Sequence, residues 1–161
     1  MEWLFGLVIL LVLCFGFVVL FGAPYLPTLT VQVKEALDLL DLKPGQHLIE
    51  LGCGDGKVLV AAAERGICVT GYELNPILAF IAWLRVRRYG PQARVVWGNF
   101  WTAKLPPTDG IFVFLLPRYM TKLDKKIMQE NSKPCKLVSF AFNIPGRKVE
   151  AKNGLFLYLY D

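Results

Sequence analysis

Histidine and paired cysteines are scarce in this chain, which removes several kinds of site at the outset. His47 is the only histidine among 161 residues, so neither a His-based catalytic triad nor a zinc site is expected. The four cysteines, Cys14, Cys53, Cys68 and Cys135, are scattered, and no two have CxxC or metal-ligand spacing. We therefore expect free thiols in a reducing compartment and no metal.

Charge is missing from the N-terminus. No charged residue lies between Trp3 and Gly22, which read WLFGLVILLVLCFGFVVLFG. A helix of that length is about 30 Å long, the thickness of the hydrocarbon core of a bilayer. We predict a transmembrane anchor over residues 1–22. A cleaved signal peptide would need basic residues first and small residues before the cut, whereas this chain has Glu2 and Phe21 there. A buried core helix would usually show a polar stripe.

Acidic residues are outnumbered in the remainder of the chain. Lys and Arg number 18 against 13 Asp and Glu, and only Glu2 among all of these precedes Lys34. A basic domain beside a membrane helix is typical of the cytoplasmic side, and an anionic lipid surface attracts it. We therefore expect a single-pass membrane protein whose domain lies on the cytoplasmic or an equivalent reducing side. A positive charge that merely keeps the domain soluble is the alternative.

Residues 23–46 form a separate stretch, with a proline-stiffened linker and an amphipathic helix over 31–42. In residues 47–161, helices and strands alternate. Strands are predicted at 47–51, 67–73, 93–97, 110–116, 135–142 and 155–160, and helices at 56–65, 75–89 and 117–130. This order predicts an α/β, Rossmann-like, mostly parallel sheet with helices on both faces. The last connection is too short for a helical crossover, so the C-terminal edge strand is expected to be antiparallel.

A glycine-rich turn follows the first predicted strand. Residues 50–56 read ELGCGDG, and glycines at this place let the backbone turn tightly and approach a ligand closely. Glu73 ends the second predicted strand, where an acidic side chain can accept hydrogen bonds from both hydroxyls of a ribose. The glycine-rich turn and Glu73 together predict a cofactor that contains adenosine. A glycine turn in a fold that binds nothing is the alternative.

The charges around the turn distinguish between two such cofactors. A dinucleotide site usually needs G-x-G-x-x-G, but here the third glycine comes one residue early. Glu50 and Asp55 would place negative charge near a pyrophosphate, which is unfavourable. The same charges suit the positively charged amino and sulfonium groups of S-adenosylmethionine (SAM), so the sequence favours SAM over a nicotinamide dinucleotide.

Seven stretches carry a resemblance to a known family. They are PYLPT at 24–28, ELGCGDGKVLVAAAERG at 50–66, GYELNP at 71–76, NFW at 99–101, LLPRYMTKLDKKI at 115–127, FAFNIPG at 140–146 and YLYD at 158–161. The chain resembles class I, seven-strand-type SAM-dependent methyltransferases. It is most similar to the small membrane-anchored protein lysine methyltransferases that include those modifying the ATP synthase c-subunit and the adenine nucleotide translocase.

The resemblance implies three groups of cofactor-binding residues. The group expected along the methionine part of SAM is Glu50, Gly52, Cys53, Gly54 and Gly56. The group expected at the ribose is Glu73, Leu74 and Asn75, and the group expected near the adenine is Asn99, Phe100 and Trp101. The family more often has Asp at the position of Asn99, whose side-chain oxygen can still accept a hydrogen bond from the adenine amino group. Ordinary core packing is the alternative for Phe100 and Trp101.

The resemblance also implies positioning residues for the target. Tyr25 and Thr28 are expected to fold over the cofactor and the target side chain, with Thr28 contacting the cofactor. Leu116 and Pro117 are expected to border the point of methyl transfer. Because a target lysine must be neutral to react, we expect an apolar, aromatic channel with Tyr25, Trp101 and Phe142 as candidate walls.

The predicted activity is transfer of a methyl group to a lysine of a membrane-associated protein, with the bilayer as a second partner. A methyltransferase of nucleic acid is a rival, but those that act on amino groups of bases carry [DN]-P-P-[YFW] after the fourth strand, where this chain has Leu115 to Arg118 as LLPR. No nucleic-acid partner is therefore expected. A small-molecule or lipid methyltransferase and a non-catalytic SAM-binding membrane protein stay open. So does the oligomeric state, since the apolar last strand could pair with another copy.

Overall fold

The computed structural model describes residues 2–6, 8–9, 12, 30–130 and 132–161. Most of the predicted anchor, the 23–29 linker, Tyr25 and Thr28 lie outside these residues. Among the residues that are described, no helix is both long enough and apolar enough to cross a membrane. The anchor and the division into three segments therefore stay predictions.

Seven strands and four α-helices make up the described part of the domain. The helices are α1 (Thr30–Leu40), α2 (Lys57–Glu64), α3 (Pro76–Val86) and α4 (Pro117–Glu130), with a 3₁₀ segment at Arg87–Gln92. The strands are β1 (His47–Leu51), β2 (Cys68–Glu73), β3 (Ala93–Trp97), β4 (Gly110–Val113), β5 (Cys135–Phe140), β6 (Glu150–Lys152) and β7 (Leu155–Tyr160).

The strands form one sheet in the order β3-β2-β1-β4-β5-β7-β6. Strands β1 to β5 are parallel, and β7 runs antiparallel to both β5 and β6. The order reverses between β1 and β4, and in open α/β sheets ligands bind outside the carboxyl ends of the strands at such a point. The predicted Rossmann-like sheet with an antiparallel C-terminal strand is confirmed.

Helices cover both faces of the sheet, as the sequence predicts. Along β1, successive side chains point to opposite faces. Leu48 belongs to a buried cluster that includes Leu59 of α2 and Ala82 of α3. Ile49 belongs to a second buried cluster that includes Leu123 of α4. The two clusters hold β1 between them, so its carboxyl end, where the glycine turn begins, has a rigid base.

Strand β6 is absent from the sequence prediction. Its three residues are all exposed, so they lack the apolar alternation by which strands are recognised. A two-residue hairpin turn at Asn153 and Gly154 joins it to β7, and both residues have positive φ angles of 51° and 75°. Strand β7 is therefore flanked by β6 along Leu155–Leu157.

Four predicted element ends are wrong by two to three residues, and the first is that of α1, which ends at Leu40 rather than at 42. Strand β4 ends at Val113 rather than at 116, and β5 ends at Phe140 rather than at 142. Helix α3 ends at Val86 rather than at 89, because the chain continues as a 3₁₀ segment in which Gly90 adopts φ 56° and ψ −132°. The two strand ends matter for the site, since Leu116 and Phe142 lie in loops.

Candidate cofactor and substrate site

The turn between β1 and α2 depends on its glycines. Gly52, Gly54 and Gly56 have φ angles of 86°, 52° and 81°, in the left-handed region that residues with a Cβ rarely adopt. A Cβ on Gly56 would lie 3.0 Å from the Cα and Cβ of Ala82, so this glycine also allows α2 to pack closely on α3. A Cβ on Gly52 would meet nothing within 4 Å, which leaves open space in front of the turn for a ligand.

Glu73 holds the turn in place. Its two carboxylate oxygens accept hydrogen bonds from the backbone amides of Gly54 and Asn75, both at 2.8 Å. The amides of Gly52 and Cys53 donate to the Tyr72 carbonyl oxygen, each at 2.9 Å. Each carboxylate oxygen has a further acceptor site, so Glu73 can bind ribose hydroxyls while it keeps both amides. Glu73 therefore lies directly against the glycine turn.

Glu50 is a buried acid with an unpaired oxygen. The residue is 5% exposed, and Oε2 has no hydrogen-bond partner among the described residues. Burial first, and then the negative charges of Glu73 and Asp55, raise the pKa of Glu50 well above its usual range. An unpaired buried carboxyl is costly. A cation bound beside it would favour its ionised form, so this acid fits the amino or sulfonium group of SAM.

Cys53 contributes to the shape of the turn. Its side chain is buried, and a Cβ on Gly71 would lie 2.7 Å from its Sγ. Burial and the nearby carboxylates Glu50 and Glu73 raise the pKa of the Cys53 thiol well above its usual range, so it is an uncharged core group. The need for glycine at position 71 is absent from the sequence prediction, although a glycine inside a strand often marks such a close approach.

Asn75 and Leu74 follow Glu73 at the end of β2. The Asn75 side-chain oxygen accepts hydrogen bonds from the amides of Ile77 and Leu78, so Asn75 is the N-cap of α3, as its place before Pro76 predicts. Its Nδ2 is buried and has no partner among the described residues. The Leu74 carbonyl oxygen accepts from the Trp97 indole at 3.2 Å. These contacts fix the backbone at the expected ribose position.

The loop after β3 brings the predicted adenine residues to the same edge. The Gly98 amide donates to the Glu73 carbonyl oxygen at 2.9 Å, which joins the two strand ends. Asn99 is exposed, and its Oδ1 accepts from the Trp101 amide at 2.9 Å. The side-chain oxygen that is expected to contact adenine therefore already shapes the loop. It has one acceptor site left.

Phe100 and Trp101 pack against the core cluster under α4, in agreement with the alternative interpretation of these residues. Their ring centroids are 4.6 Å apart, and the Trp101 ring lies 5.8 Å from that of Tyr119. The Lys122 ammonium lies over the Trp101 ring at 4.4 Å from its centroid. Both aromatic residues stay half-buried, so each keeps some exposed ring surface at this edge.

The residues predicted for the target side follow the carboxyl ends of β4 and β5. Leu116 is half-buried and precedes Pro117, the exposed first residue of α4. The Phe142 ring stacks on that of Phe114, with centroids 6.4 Å apart, and the Ser139 hydroxyl donates to the Phe142 carbonyl oxygen at 2.7 Å. An apolar surface therefore borders the predicted place of methyl transfer. Tyr25 and Thr28 lie outside the described residues.

The residues present fit SAM. The open space at Gly52 suits the methionine end, and the carboxylate of Glu73 suits the ribose. The unpaired acid Glu50 suits the positive charge. The parallel strands bring distant parts of the sequence to one edge of the sheet. Glu50 and Gly52 come from the end of β1, Glu73 from the end of β2 and Asn99 from the loop after β3.

Comparisons with known proteins agree with this geometry. The sequence profile of the ANTKMT methyltransferase domain matches residues 50–151. The lysine N-methyltransferase of the ATP synthase c-subunit from Xenopus laevis is 32% identical over 124 residues, which are 76% of this chain and 54% of that protein. The adenine nucleotide translocase lysine N-methyltransferase of Mus musculus is 34% identical over 125 residues, again 76% and 54%. This chain thus spans about half the length of these relatives.

A solved structure shows the same fold. An RNA methyltransferase from Salinibacter ruber, in complex with S-adenosyl-L-homocysteine, superposes with a TM-score of 0.74 at 24% identity, over 84% of this chain and 92% of that one. The profile match covers more than half of the chain and includes the glycine turn, Glu73 and the loop after β3. The chain therefore belongs to the ANTKMT methyltransferase domain family, as the resemblance of its sequence predicts.

Proposed function

We propose that this chain is a membrane-anchored, SAM-dependent protein-lysine N-methyltransferase that acts on a membrane-associated protein. The observation that carries the cofactor assignment is the buried, unpaired Glu50 carboxyl beside a glycine turn that Glu73 holds open. The relatives named for lysine methylation support the target type. The apolar run at residues 3–22 supports attachment to a membrane.

Cofactor binding is assigned to the carboxyl edge of β1, β2 and β3. Glu73 would accept hydrogen bonds from the ribose hydroxyls, Glu50 would neutralise positive charge at the methionine end, and Gly52 would leave room for the backbone to approach it. Asn99 and Phe100 would bound the adenine. When bound, SAM supplies a methyl group already activated by its sulfonium.

The protein's task in such a reaction is to position a neutral lysine and exclude water. From a reference pKa of about 10.4, converting lysine to the neutral amine at pH 7 costs about 4.6 kcal/mol. An apolar environment lowers that cost because it disfavours the ammonium form. The half-buried Leu116 and the stacked rings of Phe114 and Phe142 provide such an environment. The lysine nitrogen then forms its bond to the methyl carbon as the bond from sulfur to that carbon breaks.

Incubation of the full chain with methyl-tritiated SAM and membranes from its own source tests this proposal. Protein, lipid and RNA are separated after the reaction, with the Glu73→Ala variant as the control for background label. Label that maps to lysine in a protein band supports the proposal. Label in lipid or in RNA would instead assign the chain to one of the rival substrate classes.

The role of the apolar run is tested separately. A chain shortened to residues 24–161 should bind SAM as the full chain does, because the described site lies entirely within it. It should methylate a membrane-embedded substrate more slowly, since a tethered enzyme meets such a substrate at a raised effective concentration. Equal rates for the two chains would contradict a role of the run in substrate access.

A further inference from the structure

Helix α3 is apolar on two opposite sides. Its inner side buries Leu78, Ala79, Ala82 and Val86. Its outer side carries Phe80, Trp83 and Leu84, which are 58%, 48% and 40% exposed. These three residues have i, i+3, i+4 spacing and form one stripe, here called the α3 outer stripe. The rings of Phe80 and Trp83 stack with centroids 5.8 Å apart, so the stripe is a contiguous apolar surface, which usually marks an interaction site.

Arginines follow the α3 outer stripe immediately. Arg85, Arg87 and Arg88 are all exposed. Arg85 pairs with Asp55, and Arg88 pairs with Glu64 at 3.3 Å. Arg87 forms no ion pair with a residue of the described chain, and it lies seven positions after Phe80, in line with the stripe. An aromatic stripe that ends in an arginine is complementary to a surface with an apolar interior and anionic groups at its boundary.

The chain enters the domain beside this surface. An open cavity of about 690 Å³ is lined by three helices and the segment after α3, with Thr30 and Val33 from α1, Val60 and Ala61 from α2, and Leu84 and Arg87 among the rest. The apolar N-terminal run ends at residue 22, and the seven residues between it and Thr30 can span at most about 25 Å. Chain length alone therefore limits residue 22 to within about 25 Å of Thr30, which lines this cavity.

The N-terminal run itself presents uncovered apolar side chains. Trp3, Phe5 and Val12 are 93%, 70% and 64% exposed. The N-terminal run and the α3 outer stripe are thus two exposed apolar surfaces of one chain. Such surfaces are expected where both contact the same apolar phase. A lipid bilayer is such a phase, and tryptophan, phenylalanine and arginine are the residues that occupy its interface.

We propose that the α3 outer stripe and Arg87 dock on an anionic phospholipid surface, with Phe80, Trp83 and Leu84 among the headgroups and the guanidinium at lipid phosphates. The arginine fork matches phosphate geometry, and anionic headgroups attract it. Docking on this face would fix the orientation of the domain, whereas a linker alone would leave it free to rotate. This inference rests on the membrane attachment in the proposed function and adds to it the face that meets the membrane.

Helix α4 is also basic, but its outer face differs. Arg118 lies over the Tyr119 ring and Lys122 over the Trp101 ring, so both cations already have aromatic partners. Met128 is 63% exposed and is the large apolar side chain on the outer face of this helix. Helix α4 therefore has the character of a solvated face, and position 128 offers a matched control.

The test uses the full chain reconstituted into vesicles, with an environment-sensitive fluorescent amino acid incorporated at position 84 or at position 128. Vesicles contain phosphatidylcholine alone or with phosphatidylserine, and nitroxide-labelled lipid serves as the quencher. We expect the label at 84 to be quenched at least about threefold more than the label at 128 in anionic vesicles, because only the former would lie at headgroup depth. The difference should shrink in phosphatidylcholine alone.

Charge reversal tests the arginine. Arg87→Glu should reduce quenching at position 84 in anionic vesicles towards the level in phosphatidylcholine, whereas Lys125→Glu on α4 should leave it unchanged. If the chain floats with vesicles but the label at 84 is quenched no more than that at 128, the docking face is wrong while membrane attachment stands. If quenching at 84 falls as protein becomes more concentrated in the membrane, a second copy covers the stripe instead, and the proposal fails. A chain that does not float with vesicles would overturn both attachment and docking.

Discussion

The Glu73 carboxylate accepts a hydrogen bond of 2.8 Å from the backbone amide of Gly54, 19 residues earlier in the chain. The same side chain accepts from the Asn75 amide. One acid thus sets the shape of the glycine turn, caps the end of β2 and stays available to a ribose. Loss of Glu73 is therefore expected to affect both cofactor binding and stability.

Glu73→Ala should lower SAM affinity by at least about 100-fold, since two hydrogen bonds from ribose to a charged acceptor contribute about 1.5–3 kcal/mol each. It should also lower the free energy of unfolding by about 2–4 kcal/mol, because two buried amides lose their acceptor. Isothermal titration calorimetry and urea unfolding measure the two effects. The matched control is Glu64→Ala, which removes an exposed ion pair with Arg88 and an exposed hydrogen bond from the Tyr89 hydroxyl, and which should change neither quantity appreciably. Wild-type affinity in Glu73→Ala would refute the ribose assignment.

A pair of glycines separates backbone strain from cofactor contact. Gly52 and Gly45 share a φ angle of 86°, and a Cβ on either would meet nothing within 4 Å. Alanine at either position should therefore cost the same backbone strain, about 1–3 kcal/mol of unfolding free energy. Only Gly52→Ala should also lower SAM affinity, because only that Cβ would project into the space assigned to the methionine end. Equal affinities of the two variants would place the cofactor elsewhere.

The glycine turn could be predicted from the sequence because its chemistry is local. Three glycines between a strand and a helix need the left-handed φ angles that the structure shows at Gly52, Gly54 and Gly56. Asn75 before a proline likewise predicts the N-cap that is observed. In such cases the residue type and its neighbours determine the backbone.

Contacts between distant parts of the chain could not be predicted in the same way. The unpaired Oε2 of Glu50 and the stacking of Phe142 on Phe114 depend on packing across strands. Strand β6 escapes prediction because its three residues are all exposed and show no apolar alternation, although the hairpin signal Asn153-Gly154 stands beside it. The early end of β4, at Val113, escapes prediction because the apolar run continues through Leu116 into a loop.

The raised pKa of Glu50 predicts a pH dependence of cofactor binding. Burial and the neighbouring acids Glu73 and Asp55 keep this carboxyl protonated above the reference value of 4.5. A cationic ligand binds the ionised form better, so SAM binding should release a proton, and affinity should rise with pH above 4.5. Glu50→Gln should bind more weakly at high pH and lose this rise. Calorimetry in buffers of different ionisation enthalpy measures how many protons are released when SAM binds. A value of zero for the wild-type chain would contradict the assignment of Glu50 to the positive charge of SAM.

The raised pKa of Glu50 should also make the stability of the ligand-free domain depend on pH. A carboxyl whose folded-state pKa is raised stabilises the fold while it is protonated, below the unfolded pKa, and that contribution is lost as pH rises through the folded pKa. The ligand-free wild-type domain should therefore lose stability relative to Glu50→Gln as pH rises above 4.5. Unfolding measurements across this range without SAM test the sign. A wild-type chain that gains stability relative to Glu50→Gln with rising pH would contradict it.

Asn99 offers a test of the adenine position, because its side chain already has one defined partner. Its Oδ1 accepts from the Trp101 amide at 2.9 Å. An aspartate can keep that hydrogen bond and present a second oxygen to the adenine amino group, in a charge-assisted interaction. Asn99→Asp should therefore bind S-adenosylhomocysteine about three- to tenfold more tightly, as one added hydrogen bond of about 1 kcal/mol implies. Asn99→Ala should bind more weakly and lose about 1 kcal/mol of unfolding free energy with the loop contact.

The matched ligand for this test is S-inosylhomocysteine, in which a carbonyl oxygen replaces the adenine amino group. At the ring position where adenine carries its amino group, an acceptor at position 99 would meet a carbonyl oxygen, which has no hydrogen to donate and would repel it. The gain from Asn99→Asp should thus appear with the adenosyl ligand and vanish or reverse with the inosyl ligand. An equal gain with both ligands would mean that the new charge does not act on the adenine amino group, and it would contradict the assignment of Asn99 to that group.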